Sequence, residues 1–153
     1  MKKIFVVLVA VFALGFAANA QDAIGLRFGG GTALGAEVSF QKGLGSNRLE
    51  LDLGVSRSTD NYFNLCGIYQ WKGNFIDDWF GWYAGSGVNV GYCGNHGLGV
   101  AVVGQFGIEF NFQNFPFQLT ADVRPQFEFL LPENCGYRGF GWGSALGIRY
   151  KLN

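Results

Sequence analysis

One stretch constrains what this chain can fold into more than any other. Gln118, Thr120, Asp122, Arg124, Gln126 and Glu128 alternate with Phe117, Leu119, Ala121, Val123, Pro125, Phe127 and Phe129. A period of two belongs to a β-strand with one polar and one apolar face. The polar face here carries charges of both signs, and the apolar face has aromatic rings at its ends. The same alternation recurs over residues 23–29, 34–41, 48–57, 62–71, 79–91, 98–111 and 140–152, separated by short runs of turn-forming residues. That makes eight strands with no linker, repeat or low-complexity tract between them.

The period does not say which face is inside. A soluble sandwich or lipocalin-like barrel would bury Leu51, Val102 and Leu146 and wet the polar face. Three features point the other way. The polar face is rich in glycine (Gly85, Gly87, Gly91, Gly99, Gly107, Gly141, Gly143, Gly147), which weakens a solvated strand but suits a narrow lumen. Aromatics gather near strand ends, with Leu51, Ala84, Val102 and Ala121 in the middles; two aromatic rims are what two water–lipid boundaries select. The charges on the polar face (Arg27, Glu37, Arg48, Glu50, Asp52, Glu109, Asp122, Arg124, Glu128 and Arg149, with Lys151 at the end) can pair across a small bore. The expected fold is therefore all-β: an eight-stranded antiparallel up-and-down transmembrane β-barrel over residues 21–153.

Composition agrees. Charged residues are 14% of the chain, low for a wetted surface. Residues 1–20 read as a cleaved signal peptide. Lys2 and Lys3 precede an apolar run over 4–17, and Ala18-Asn19-Ala20 is a small-x-small cleavage site. That run is too short for a helical membrane anchor. Without it, nine basic groups face eleven acidic ones, which leaves no basic footprint for nucleic acid. No later apolar run reaches 18 residues, so only a closed barrel could cross a membrane. Pro125 cannot donate to a ladder, so a bulge or a break in pairing is expected near it.

With these residues in view, the chain resembles the small outer-membrane barrels of the OmpA/OmpX-like type, over Gln21 to Asn153. The resemblance rests on the signal, the eight strands, the aromatic rims and the closing run Ala145-Leu146-Gly147-Ile148-Arg149-Tyr150-Lys151-Leu152. It implies the outer membrane of a Gram-negative envelope, a lipid environment and recognition of the last strand by the barrel-assembly machinery. Asn153, rather than an aromatic, is terminal here. No domain is expected after the last strand.

Candidate chemistry is sparse. Cys93 and Cys135 fall in loops at one end and form the favoured disulfide; Cys66 points inward. Three cysteines with His96 lack the paired spacing of a zinc site. For a lipid-modifying triad with His96, Ser86 lies about six residues deeper, roughly 20 Å away, and Ser144 is on a non-adjacent strand; Ser58 and Asp60, which share its end of the barrel, stay open as partners. Gly29-Gly30-Gly31 is a turn, with no helix or Lys-Ser/Thr after it. The expectation is a monomer with no cofactor, no metal and no open pore, in a structural or interaction role. A binding role would use the long loop 131–139, with Glu133, Tyr137 and Arg138 as handles. The alternatives are a lipid-active outer-membrane enzyme and a soluble periplasmic binding barrel.

Overall fold

The computed structural model describes residues 22–31, 35–57, 61–93, 97–130 and 139–152. The strands are β1 (Asp22–Gly31), β2 (Ala36–Leu44), β3 (Asn47–Arg57), β4 (Asn61–Ile76), β5 (Phe80–Cys93), β6 (Gly97–Asn111), β7 (Phe117–Leu130) and β8 (Gly139–Leu152). Each pairs antiparallel with the next, and β1 pairs with β8 from Asp22–Leu152 to Gly31–Gly143, so the sheet closes on itself. Closure removes both sheet edges and pairs the backbone internally. The expected signal segment 1–20 lies outside the described residues.

The strands are staggered. Rungs lead from Ala23 through Gln41, Glu50, Ile68, Gly87, Val103 and Gln126 to Gly141, two rungs beyond Gly143, where the β1–β8 ladder ends at Gly31. The path therefore returns to β1 about ten residues above its start, a shear that tilts the strands by about 35–45°.

Burial follows the alternation. Arg27, Glu50 and Arg149 on the inner face are fully buried, while Val102 and Leu146 on the outer face are 47% and 68% exposed. Leu51 shares that outer face, between the buried Glu50 and Asp52. This is the reverse of the arrangement a soluble lipocalin-like barrel needs, and that alternative falls with it. The buried apolar cluster is small, comprising Cys66, Ile68 and Val103. The main core is polar.

Local chemistry explains the connections. Gly45, at φ +68°, takes the left-handed position in the two-residue turn between β2 and β3. β4 runs on to Ile76, five residues past its expected end, and its register shifts between Asn74 and Ile76. The Lys72-Gly73-Asn74 run reads as a turn in sequence but stays in the ladder, because Gly73 leaves room for the Trp82 ring; a Cβ there would lie 2.5 Å from the indole nitrogen.

Aromatic pairs mark both rims: Phe117–Tyr150 and Trp79–Phe110 at one, Phe127–Phe129 at the other. Phe106 is an exception to the aliphatic middle. It stands 57% exposed halfway along β6, between the small Ala84 and the branched Val123.

Pro125 sits inside the barrel wall and pairs with Trp142 on β8. On the other side, the β6–β7 ladder pairs Val103 with Gln126 and Phe106 with Val123, and drops the two rungs between. The missing donor interrupts pairing without changing register. Gly104 faces the ring, where a Cβ would approach it to 3.3 Å. The bulge on this strand lies further along, where Val100 pairs with Leu130 and Ala101 with Glu128, leaving Phe129 extra.

Close approach also fixes Gly87, where a Cβ would lie 1.9 Å from the Gly67 carbonyl oxygen, whereas one at Gly30 would meet nothing within 4 Å. Gly87→Ala should lower the unfolding free energy in micelles by about 1–3 kcal/mol. Gly30→Ala should leave the urea midpoint unchanged; equal midpoints for both variants would contradict the close crossing.

Candidate functional site

All eight strands send polar side chains into the bore. Four arginines meet five carboxylates there. Arg27 (β1) donates to Glu37 (β2), to Asp122 (β7) at 2.5 Å and to Asp52 (β3) at 3.3 Å. Arg124 (β7) donates to Asp52 at 2.5 Å and to Glu37 and Glu50 at 3.3 Å. Arg149 (β8) donates to Thr120 at 2.8 Å, Glu50 at 2.9 Å and Ser39 at 3.1 Å.

Glu50 is the hub. Besides Arg124 and Arg149, it accepts from Gln41 at 2.6 Å and from Gln105 at 3.0 Å. Gln70 donates to Gln105 at 2.5 Å and accepts from Arg48, which binds Glu109 at 2.5 Å. A chain of side-chain amides thus joins the Arg48–Glu109 pair to the central cluster. Tyr83 closes the structure from β5: its hydroxyl donates to Asp122 at 2.8 Å, and its ring lies 4.6 Å beneath the Arg48 guanidinium.

Glycines make room for these groups. A Cβ at Gly107 would lie 2.5 Å from the Tyr83 ring, one at Gly147 would lie 2.4 Å from the Thr120 hydroxyl, and one at Gly54 would lie 2.7 Å from the Glu37 stem. The glycine-rich inner face is the complement of the long arginines.

Buried charges are tolerated when each has a partner and its hydrogen bonds are made; removing one partner strands the other at a cost of about 3–5 kcal/mol. In this network a carboxylate such as Glu50 or Glu37 is shared by two arginines, so each arginine is worth more than one bond.

Nine of the ten charges picked out by sequence, all but Glu128, belong to this connected set. Glu128 stands apart near the opposite rim from Arg48 and accepts only from Gln126, at 2.8 Å, among the described residues. Its strand bulges at Phe129, just beyond it, and its rung partners are Ala101 on β6 and Gly139 on β8. Lys151 is half-buried at the other end. The charge count did not bring forward the neutral members Gln41, Gln70, Gln105, Ser39 and Tyr83. Their signal was available as inward parity, and for Tyr83 it was masked by the aromatic run around it.

Cys93 ends β5 and pairs with Gly97 rather than lying in a loop; its expected disulfide partner Cys135 lies outside the described residues, as do His96, Ser58, Asp60 and the loop handles Glu133, Tyr137 and Arg138. Among the described residues, no group of three or more His, Cys, Asp or Glu is placed to hold a metal ion. Cys66 is a buried thiol on the inner wall.

No family model matches the chain, and no curated protein matches it. Two solved structures share its fold. One is the N-terminal β-barrel domain of OprF from Pseudomonas aeruginosa, at a TM-score of 0.69 and 13% identity, covering 88% of this chain and 98% of that one. The other is Neisserial surface protein A (NspA), at a TM-score of 0.59 and 12% identity, covering 86% and 95%. Identity this low carries the fold alone, and at that level the resemblance to small outer-membrane barrels stands.

The network makes a direct demand. Arg124→Met leaves Glu37, Glu50 and Asp52 facing one another and should cost about 3–5 kcal/mol of unfolding free energy in micelles. Adding Asp52→Asn to that variant should recover part of the loss; a neutral single variant would show that the pairs are not made.

Proposed function

We propose that the chain is a small integral outer-membrane barrel with a structural or interaction role in the cell envelope, its bore closed to solutes by the lumen network. The observation that carries this reading is the outward apolar wall set between two aromatic rims around a charged interior. In water such a wall would drive aggregation; in hydrocarbon it is the required surface. An eight-stranded bore is only wide enough for side chains to fill, and here they are long, charged and hydrogen-bonded.

On this reading the first twenty residues are the export signal, lipid is the main partner, and the alternating closing strand is what the assembly machinery recognises. Lipid covers the whole apolar wall, so a monomer satisfies it. Any binding partner would meet the loops at the Glu128 end, the long 131–139 loop first. A lipid-modifying activity would need His96 with Ser58 and Asp60, and no observation favours it.

Leu146→Arg tests the orientation. At mid-wall in a lipid bilayer it should cost about 2–4 kcal/mol. The same change on a water-facing wall would be close to neutral. A neutral result, together with Trp82 and Trp142 undimmed by brominated acyl chains, would overturn the reading.

A further inference from the structure

Glu128 stands outside the arginine network, and its surroundings show what it lacks. Its Oε1 is held by the Gln126 amide at 2.8 Å, while Oε2 is buried with no hydrogen-bond partner. Two strands away on the same rung lies Asn89, paired through Ala101: Asn89 with Ala101 across β5–β6, then Ala101 with Glu128 across β6–β7. Asn89 is only 4% exposed, and its Oδ1 also has no partner. All three side chains point into the bore by the alternation of their strands.

Two buried oxygens, one from a carboxylate and one from an amide carbonyl, therefore flank a methyl group on one rung. Adjacent strands are about 4.8 Å apart, so the two backbones are about 10 Å apart, a gap that the two side chains narrow from both sides. Neighbouring inner positions leave space: the residue opposite Glu128 on β8 is Gly139, where a Cβ would meet nothing within 4 Å. The bulge at Phe129 immediately follows Glu128, and bulges near a rim commonly re-aim a side chain. Both unpartnered atoms are acceptors, so a guest must bring positive charge or hydrogen-bond donors. No salt bridge to Glu128 is made among the described residues.

We propose that Glu128 and Asn89 form a cation site at this mouth of the barrel, taking a divalent metal ion that keeps part of its water shell. One carboxylate with one or two further oxygens and retained water is the coordination that Mg²⁺ favours and Ca²⁺ accepts. Gln126 fixes the carboxylate by its other oxygen, and Ala101 keeps the gap open. The proposal does not depend on where the barrel resides, because the site is internal.

The test uses the full chain folded in micelles, titrated calorimetrically with MgCl₂ and with CaCl₂ at constant ionic strength. Saturable binding near one equivalent is expected. Glu128→Gln, which keeps the side-chain shape, should weaken it by about tenfold or more, and Asn89→Ala by a smaller factor. Ala101→Leu leaves both oxygens in place and should abolish binding by filling the gap. Heat-modifiable gel migration checks that each variant is folded. Absence of saturable binding to the folded wild type would overturn the site, as would affinity unchanged in both Glu128→Gln and Ala101→Leu. Spermidine binding with no response to either metal would equally overturn it.

Discussion

A charge turned into a closed eight-stranded bore has to find its partner there, because the apolar wall separates it from every other one. This requirement organises the structure. Arg27, Arg124 and Arg149 reach carboxylates on strands far apart in sequence, up to 99 residues for Arg149 and Glu50. The barrel therefore cannot be half closed and locally content. Either β1 meets β8 and the bore assembles, or several guanidinium and carboxylate groups remain buried and unmatched.

Space inside the bore is divided on the same terms. Long side chains on one strand face glycine on its neighbour: Tyr83 faces Gly107, and Thr120 faces Gly147. Where the inner face lacks charge, Cys66, Ile68 and Val103 pack together instead. Towards the Glu128 end the inner residues become short or absent, with Ala101, Gly139, Gly141 and Gly143 on β6 and β8. The filled waist and the sparse mouth are two consequences of one taper in side-chain size.

Much of this was legible in the residues. Strand number, order and the polar inner face follow from a period of two repeated eight times. The strand ends were less legible. Lys72-Gly73-Asn74 carries turn chemistry, yet the packing of Trp82 over Gly73 keeps it in the sheet to Ile76. Pro125 announced a disturbance but not its form; only the ladder shows two lost rungs with the register kept. The aliphatic middle of the wall was overdrawn, since Phe106 stands in it. Partner choice in the network was not readable at all. Alternation says that Glu50 and Arg149 share a face, but only the shear brings them to one level. Glu128 looks like one more member of the set, yet among the described residues it accepts a hydrogen bond from Gln126 and makes no salt bridge.

The charges also answer a problem that alternation leaves open. A strand that slips by one residue exposes its inner face to the outside, which the hydrophobic pattern forbids. A strand that slips by two keeps every apolar residue outside and is invisible to that rule. Moving β7 by two residues would bring Asp122 or Gln126 to the level now held by Arg124. It would set a carboxylate or a neutral amide against Glu37, Glu50 and Asp52. An apolar lumen of equal volume could be as stable or more so, but it would not tell these two registers apart. The paired charges make the correct register the one in which each arginine of the network faces carboxylates, so their contribution is to specificity of closure as much as to its strength.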